Sequence, residues 1–550
     1  MIAGTSPFTY LPGMADWIRI LPELILLAVA LVVLLADLAM PARRKGVLAL
    51  IGLLGVVAAA VAAALLFAQG DHQTAFYGMV TSDKTALFSD FVVLLAAGLG
   101  LLYSPGYVER QGITQIGEYY TLLLLAALGM MLMASAANLM VVFAGLETLS
   151  LALYVLSAYI VQRSRSQEAG LKYFILSSFA SAFLLYGMAL TYGATGSTNL
   201  QAIRAFVSTH PLQATSGFGP LLLAGLGLMA VGFCFKVSAV PFQAWTPDVY
   251  VGAPTSVTAF MSVGTKVAAF IGLARVFVVA LQPVAPSWTP VLWAVAILTM
   301  IGGNVLAVTQ RDVKRMLAYS SVANAGYMLV AIVTGTVSAL AALLVYLAAY
   351  AAMNLGAFGV VLALERNDGL GTTLDDFAGL ARRRRGLAAV MAIFLFSLAG
   401  IPPLVGFAAK YYVFYTAIVG GHLELAIVGV LTSVLGMFYY LRVIWAMYFQ
   451  EPRPLTAATA GTFAVEPAAP ATAPVAAART GAAAVALAEP VIASSPAAAP
   501  APHQASGQPR VVTPGTWLAL AIALVLTIAL GIVPASLVDL ATQAAQTIMR

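Results

Sequence analysis

Apolar runs long enough to cross a lipid bilayer recur along most of the chain. A membrane helix needs about 20 apolar residues, and inside lipid only helices and closed barrels satisfy their backbone polar groups. Such runs lie at approximately 19–39, 47–67, 86–103, 119–134, 138–160, 168–192, 220–246, 254–281, 290–309, 316–335, 338–364, 387–419, 423–449 and 515–540. Charged residues make up 9% of the chain, whereas a soluble domain carries about 25%. These features predict an all-α polytopic membrane protein with about 14 transmembrane helices.

Basic residues are distributed unequally between the two sets of loops, and cytoplasmic loops usually carry the excess. The richer set holds Arg43, Arg44, Lys45, Arg110, Arg163, Arg165, Arg311, Lys314, Arg315, Arg366 and Arg382 to Arg385. The other set holds only Arg19, Lys84, Arg204 and Arg550. We therefore expect both termini to face away from the cytoplasm. Topology also explains the net charge of +6, so we expect a lipid bilayer and no nucleic acid as partner.

Residues 451–512 have a different composition. Ala and Pro dominate, charge is sparse, and no spanning run of large apolar residues occurs. This composition predicts a flexible cytoplasmic linker that tends toward polyproline II and joins the last two helices. A docking arm is the alternative interpretation of the same segment.

The chain shows no sequence signature of redox or hydrolytic chemistry. It has a single cysteine, Cys234, which excludes a cysteine-ligated iron–sulfur cluster. The four histidines are far apart and form no metal-ligand pattern. No dinucleotide-binding motif, P-loop or haem-ligand motif is present. We therefore expect no cofactor or metal in this chain, and the driving force for any transport must come from partner subunits or an ion gradient.

A small set of ionisable residues remains inside the predicted spans. Such groups usually face the interior of a helix bundle and mark ion or proton paths. The set comprises Glu147, Lys172, Lys236, Lys266 and Lys410, with Asp90, Arg275, Glu424 and Arg442 nearer the span ends. Lys172 lies only about one turn inside its helix, so a side chain that reaches the membrane surface explains it nearly as well as function does.

Prolines interrupt two of the spans that carry these lysines. Pro241 follows Lys236 in the seventh run, and Pro402-Pro403 precedes Lys410 in the twelfth. A proline inside a helix removes a backbone hydrogen bond that lipid cannot replace. The combination of a buried cation and a proline predicts two broken helices that line a polar path.

Glu147 and Lys236 suggest a mechanism for moving protons. A carboxylate about 4 Å from a lysine stabilises its charge by roughly 4 kcal/mol at an effective dielectric of 20. Moving one proton against 150 mV costs about 3.5 kcal/mol. Making and breaking a Glu147–Lys236 pair would therefore match the energy of one pumping step. A static ion pair that fixes helix register is the structural alternative.

The segment K-V-S-A-V-P-F-Q-A-W-T-P-D-V-Y-V-G-A-P-T, residues 236–255, resembles the signature of the antiporter-like membrane subunits of respiratory complex I. Within that family it looks like the subunit N branch, and the resemblance covers nearly all of the chain outside the linker. It implies two inverted five-helix repeats, 119–281 and 290–449, with the seventh and twelfth helices broken. An N-terminal three-helix segment (1–118), the linker (450–514) and a last helix (515–550) complete the expected organisation.

The resemblance also implies roles for single residues. Glu147 occupies the fifth-helix glutamate position, Lys236 the broken seventh helix, and Lys266 the connecting position on the eighth. Lys410 occupies the broken twelfth helix, where the output half-channel is placed, and Lys172 matches a sixth-helix lysine. Sibling M generally has glutamate in place of Lys410, and sibling L continues into a long lateral helix that this chain does not resemble.

The implied function is proton translocation as one subunit of a translocase in the bacterial inner membrane. NADH, FMN, iron–sulfur clusters and quinone are then expected in partner subunits, and the partners are other membrane-arm subunits, including sibling antiporter-like ones. Both termini are expected on the periplasmic side. One departure is Gln243, which replaces a common histidine and cannot carry a proton. A subunit of a cation/proton antiporter or membrane-bound hydrogenase, and a purely structural scaffold, are the alternatives.

Overall fold

The computed structural model describes residues 12–41, 45–70, 73–210, 217–366, 369–452 and 512–549. Almost every described element is a helix, and the helices in chain order are α1 (Met14–Arg19), α2 (Leu21–Ala39), α3 (Gly46–Gln69), α4 (Lys84–Arg110), α5 (Ile116–Ala134), α6 (Leu139–Ser157), α7 (Ser164–Thr195), α8 (Leu200–Thr209), α9 (Gly219–Val237), α10 (Trp245–Gly252), α11 (Thr255–Leu273), α12 (Ala285–Val308), α13 (Val313–Thr334), α14 (Val337–Leu364), α15 (Leu374–Phe377), α16 (Leu380–Arg383), α17 (Arg385–Ala399), α18 (Val405–Val419), α19 (Leu423–Phe449), α20 (Pro514–Ile532) and α21 (Ala535–Ile548). A π-helical turn, Ala274–Ala280, continues α11, and a 3-10 turn, Gln282–Val284, leads into α12. Two short strands, β1 (Thr74–Ala75) and β2 (Val80–Thr81), form an antiparallel pair.

The membrane architecture predicted from the apolar runs is confirmed. In the described ranges, 13 helices are long and apolar enough to cross a membrane. The two shorter apolar helices α17 and α18 together occupy the predicted twelfth span. The chain is therefore an all-α, multi-pass membrane protein. The division into two inverted five-helix repeats stays a prediction.

Local sequence signals set many of the helix ends. The side chains of Asp83, Asn138 and Asp312 accept hydrogen bonds from backbone N–H groups in the first turns of α4, α6 and α13. These caps satisfy donors that have no partner within the helix. Gly196 and Gly335 end α7 and α13 with φ of 71° and 64°, a conformation that suits glycine.

Both predicted helix breaks are present. The first separates α9 from α10, where Ser238 has φ 66° and the Val240–Pro241 peptide bond is cis. The second separates α17 from α18, where Gly400 has φ 88° and the Pro402–Pro403 bond is cis. Each break leaves the carbonyl groups at the end of the preceding helix without their usual helical partners.

The helices sort into a buried centre and an apolar periphery. The spans of α11, α13 and α14 are at least 94% buried within the chain, whereas α2 and α20 are 28% buried. Side chains on the outer helices, including Leu35, Leu54 and Val525, are exposed and apolar, as lipid contact requires. Helices α5 and α6 approach closely at Gly129, where a Cβ would lie 2.4 Å from the Leu149 nitrogen. This contact fixes α6, the helix of Glu147, against its neighbour.

The predicted last span is wrong in its final part. The membrane helix α20 ends at Ile532, and Pro534 precedes a separate helix, α21. Helix α21 packs on the bundle, where the Thr85 hydroxyl donates a 2.7 Å hydrogen bond to the Ala544 carbonyl. Proline interrupts the helix because it supplies no backbone N–H. The predicted linker at 451–512 lies almost entirely outside the described residues.

Candidate functional site

Lys236 lies in the last turn of α9 with 2% of its surface exposed. Its Nζ donates a 2.6 Å hydrogen bond to the Ser150 hydroxyl on α6 and a 3.4 Å hydrogen bond to the Tyr173 hydroxyl on α7. The ammonium also lies 5.3 Å from the centre of the Tyr173 ring, within reach of a cation–π interaction. Hydroxyl groups and an aromatic face therefore hold this buried cation.

Trp245, the first residue of the W-T-P-D segment, lies after the break and packs against the aromatic residues around Lys236. Its ring stacks on Tyr173 at 4.7 Å with an interplanar angle of 2°, and lies 5.4 Å from the Phe235 ring. The indole N–H donates to the Phe235 carbonyl at 3.0 Å. The signature tryptophan thus shares the Phe235 carbonyl with the Ser238 N–H and fixes α10 beside Lys236.

Glu147 lies on the same face of α6 as Ser150, one turn earlier. Its Oε1 is buried and accepts no hydrogen bond from a described residue. Among the described residues, Lys236 bonds to the two hydroxyls and forms no ion pair with Glu147. The predicted pair is therefore open in this structure, with Ser150 holding the ammonium one turn away from the carboxylate.

Lys266 lies in the middle of α11 with 1% of its surface exposed. Its Nζ donates a 3.1 Å hydrogen bond to the carbonyl of Val237, the last residue of α9. The carbonyl end of a helix carries a partial negative charge, which stabilises a nearby cation. The break in the seventh span therefore creates the binding group for the lysine of the eighth.

Lys410 lies in the first half of α18 with 7% of its surface exposed. Its Nζ donates to the carbonyls of Leu398 and Ala399, the last residues of α17, at 2.9 and 3.1 Å. A third hydrogen bond of 2.8 Å goes to the Ser433 hydroxyl on α19, and the Tyr327 ring centre lies 5.3 Å away. Lys410 thus caps the first half of its own broken helix across the break.

A cavity of about 380 Å³ opens beside Lys410. Its walls are mostly apolar and include Phe407, Tyr411, Tyr415 and Met437. Tyr411 and Tyr415 are more than half exposed, so the cavity reaches the outer surface of the bundle between α18 and α19. The gap beside Lys236 has no comparable space, because it is too narrow to hold a water molecule.

Lys172 does not join the buried lysines. Its Nζ forms ion pairs with Glu168 at 2.7 Å and with Asp248 of the signature segment at 2.9 Å, and its side chain is 41% exposed. Asp248 also pairs with Arg315 of α13 at 3.1 Å. These half-exposed charges tie α7, α10 and α13 together. Lys172 is therefore held by carboxylates at the exposed side of its helix, and its role in translocation stays a prediction.

A buried hydrogen-bond network between Lys266 and Lys410 was not predicted from the sequence. Asn304 bonds to the hydroxyls of Tyr327 and Tyr439 at 3.0 and 3.1 Å. Asn324 accepts a 2.8 Å hydrogen bond from the Tyr346 hydroxyl. Ser320 bonds to the Tyr440 hydroxyl and lies 3.4 Å from the Asn324 amide nitrogen. All seven side chains are buried. The sequence signal that could have predicted this network is the presence of asparagines and tyrosines in the middle of predicted spans.

A second buried polar contact lies between α11 and α14, and no hydrogen bond among the described residues links it to this network. Ser262 lies one turn before Lys266 on α11 and accepts a 2.7 Å hydrogen bond from the Asn354 amide. Tyr350, one turn before Asn354 on α14, is also buried. Polar side chains therefore follow α11 and α14 from the Lys266 region into the second half of the bundle.

Gln243 lies in the break between α9 and α10, and its Oε1 is buried without a hydrogen-bond partner among the described residues. An amide cannot exchange a proton at this position as an imidazole would. Within the described ranges, no group of three His, Cys, Asp or Glu side chains is placed to hold a metal ion.

Comparison with known proteins relates this arrangement to a family. The model for the transmembrane part of NADH:quinone oxidoreductase and Mrp antiporters matches residues 136–436. The chain belongs to this family. The match covers the helices that carry Glu147, Lys236, Lys266 and Lys410, and therefore both breaks.

Relatives in the family are similar over most of their length. NADH-quinone oxidoreductase subunit N of Trichlorobacter lovleyi is 44% identical over 431 residues, which cover 78% of this chain and 87% of that protein. The subunit of the same name from Chloroflexus aggregans is 45% identical over 437 residues, 78% of this chain and 88% of that protein.

A solved structure of respiratory complex I from Thermus thermophilus contains a similar chain. It has a TM-score of 0.70 and 31% identity, and the match covers 94% of this chain and 98% of that one. A chain of the Mrp complex from a Dietzia species has a TM-score of 0.79 at 22% identity, with 97% of each chain covered. The likeness to the Mrp chain shows that the two chains share a fold.

Proposed function

We propose that this chain is a proton-translocating membrane-arm subunit of a bacterial NADH:quinone oxidoreductase. The observation that carries the proposal is the placement of three buried ammonium groups, Lys236, Lys266 and Lys410, at two broken helices. Buried cations in a bilayer are costly and mark ion paths. The names of the relatives support the assignment to this oxidoreductase.

Glu147 and Lys236 form the loading site in this proposal. With the pair open, burial disfavours the charge on Lys236, and its proton can leave. With the pair closed at about 4 Å, attraction of roughly 4 kcal/mol holds the proton on the lysine. The Ser150 hydroxyl, one turn from Glu147 and 2.6 Å from Nζ, is the resting partner. The pair therefore acts as a switch between a loaded and an unloaded lysine.

In this proposal the proton then moves toward Lys410 past a series of buried polar side chains. Lys266 binds the carbonyl of Val237, the residue that follows Lys236 on α9. Ser262 and Asn354 form the next buried polar contact, one turn before Lys266 on α11, and no hydrogen bond among the described residues joins that contact to Lys266. The asparagine–tyrosine network reaches Tyr327, whose ring contacts Lys410. Tyrosine, serine and water chains can pass protons by exchange of hydrogen bonds.

The chain itself supplies positioning and charge, and its partners supply the energy. The proposal places NADH, FMN, iron–sulfur clusters and quinone in partner subunits and assigns no cofactor to this chain. Sibling antiporter-like subunits adjoin it in the membrane arm. It resides in the bacterial inner membrane with both termini on the periplasmic side, in keeping with the basic residues of the opposite loops.

The decisive experiment measures protons pumped per NADH oxidised in membranes that carry Lys236→Ala. We expect pumping or coupled turnover to fall by at least tenfold in complex that a native gel shows to be assembled. Lys84→Ala is the matched control, because Lys84 lies at a helix start and bonds to Gln543 at 3.2 Å. It should retain normal pumping.

Three other outcomes would count against this assignment. Normal pumping by assembled Lys236→Ala complex would contradict the proposal. Loss of assembly with normal activity in the remaining complex would indicate a structural scaffold. A cation/proton antiporter subunit shares the family model, and it predicts Na⁺/H⁺ exchange in vesicles without NADH.

A further inference from the structure

A second cluster of buried charges lies where α4 begins, away from the lysines. Asp83 caps α4 and binds Arg275 through both carboxylate oxygens at 2.8 Å. Arg275 lies on the π-helical turn that continues α11, and its Nε donates to the Ala134 carbonyl at 2.6 Å. Arg275 and Asp83 are both buried. Arg275, one of the charges that the sequence places nearer a span end, therefore forms an internal ion pair.

Two further carboxyl groups belong to this cluster. Glu23, in the first turn of α2, is 4% exposed, and Asp90, in the second turn of α4, is 1% exposed. Helices α2 and α4 both pack on α5, and the Ala134 carbonyl at the end of α5 binds Arg275. Electrostatic interactions link Asp90 to Glu23, Asp83 and Arg275, and Glu23 interacts with Ser135, the residue after Ala134. Glu23 Oε2 and Asp90 Oδ1 are buried and have no hydrogen-bond partner among the described residues.

The charges in this cluster do not balance if every carboxyl group is ionised. The cluster holds three carboxyl groups and one guanidinium, and Arg275 is already bound by Asp83 in a bidentate pair. Helix α3, which packs on α4, contains no charged residue. Three other described cations, on α1, α4 and α8, have partners outside the carboxyl cluster. Arg19 pairs with Asp16, Lys84 bonds to Gln543, and Arg204 bonds to the Met549 carbonyl.

An unpaired carboxylate in an apolar interior is costly, and such groups neutralise instead. When two carboxyl groups lie close together, they share protons because both cannot be charged at once. Glu23 and Asp90 are both buried with an unpaired oxygen among the described residues, and they belong to the same cluster. The charge excess, the burial and the unsatisfied oxygens therefore all require a positive charge that no described side chain supplies.

We propose that Glu23 and Asp90 form a proton-binding carboxyl pair, separate from the line of buried lysines. Loading forms an O–H bond on one carboxylate oxygen with a proton from water, and unloading returns that proton. Arg275 follows Lys266 by nine residues, about 14 Å along a continuous helix. The pair thus lies near one membrane surface, at the end of the helix that carries Lys266, and it stands whether or not the lysines carry protons.

Infrared spectroscopy of the purified subunit tests this pair, because protonated carboxyl groups absorb apart from carboxylates and shift in heavy water. We expect Glu23→Gln/Asp90→Asn to lose the absorption of one or two protonated carboxyl groups per chain. The control is Glu118→Gln/Asp539→Asn, which removes two exposed carboxyl groups. It should leave that absorption unchanged.

The proposal fails if the double variant keeps the full protonated-carboxyl absorption of the unmodified chain. If the double variant does not fold, the single variants decide, because removing either member alters the surroundings of a proton held by the other. The carboxyl band must then shift or weaken in at least one of them. Two single-variant spectra that superpose on that of the unmodified chain would overturn the pair.

Discussion

The two broken helices hold their lysines in opposite ways. In the first, Lys236 precedes the break and binds hydroxyls, and the carbonyl end of α9 is capped by Lys266 from another helix. In the second, Lys410 follows the break and caps two carbonyls of α17 itself. Two of the three lysines therefore stabilise a helix end, and Lys236 does not.

This difference separates lysines with fixed hydrogen-bond acceptors from one whose partners can rotate. A helix-end carbonyl is part of the backbone and cannot turn away, so Lys266 and Lys410 have permanent acceptors. Serine and tyrosine hydroxyls rotate, and they donate as readily as they accept. Lys236 therefore has the surroundings that best tolerate a change of charge, which its proposed role as the loading site beside Glu147 requires.

The largest effect on stability is expected for Lys410→Met. It leaves the Leu398 and Ala399 carbonyls without a donor, which should lower the free energy of unfolding by about 3 kcal/mol. Thermal unfolding of the purified subunit measures this. Lys236→Met is the matched control, because it removes a buried charge without orphaning a backbone group, and its loss of stability should be clearly smaller than that of Lys410→Met. Equal losses for the two variants would erase the distinction between the two breaks.

Lys266→Met should lower the free energy of unfolding by an intermediate amount. It leaves one carbonyl, that of Val237, without its donor, at an expected cost of about 1–2 kcal/mol. The same unfolding measurement ranks it between Lys410→Met and Lys236→Met. A cost as small as that of Lys236→Met would mean that the end of α9 needs no cation.

The hydroxyl partners provide a sharper comparison of function. Ser150→Ala removes the closest hydrogen bond of Lys236, and bonds to charged groups contribute about 1.5–3 kcal/mol. We expect pumping to fall about tenfold or more. Ser433→Ala leaves Lys410 with two carbonyls, so its pumping should fall less than about threefold. Proton uptake per NADH in assembled complex measures both, and the reverse order would count against a movable Lys236.

The smallest effect is expected for Asp248→Asn. Its partners Lys172 and Arg315 are about 40% exposed, and exposed ion pairs contribute about 0–1 kcal/mol. Both unfolding and pumping should change little, within about twofold for pumping. A loss as large as that of Ser150→Ala would place Lys172 on the proton path after all.

The sequence predicts the parts that the bilayer itself dictates. Span lengths follow from membrane thickness, and prolines beside buried lysines identify both breaks, because lipid supplies no substitute hydrogen bonds. The partners of each lysine depend instead on packing between distant segments, as with Lys266 and the Val237 carbonyl. The asparagine–tyrosine network escaped prediction because its members are uncharged, and uncharged polar residues are tolerated in membrane helices for many reasons.

The end of the chain shows the same limit. The apolar run at 515–540 predicts one span that continues through Pro534, whereas the helix ends at Ile532, just before that proline. The sequence places Asp90 near a span end, but its proximity to Glu23 arises only when α2 and α4 pack against the same neighbours. Composition cannot supply that juxtaposition.

The signature tryptophan has a practical use. Trp245 stacks on the phenol ring that faces the Lys236 ammonium, so its excited state lies in the electric field of that charge. The chain has six tryptophans, and a variant that keeps only Trp245 would contain a single intrinsic fluorophore at the first break. Its emission colour would follow the loading of one lysine in real time, without an attached dye.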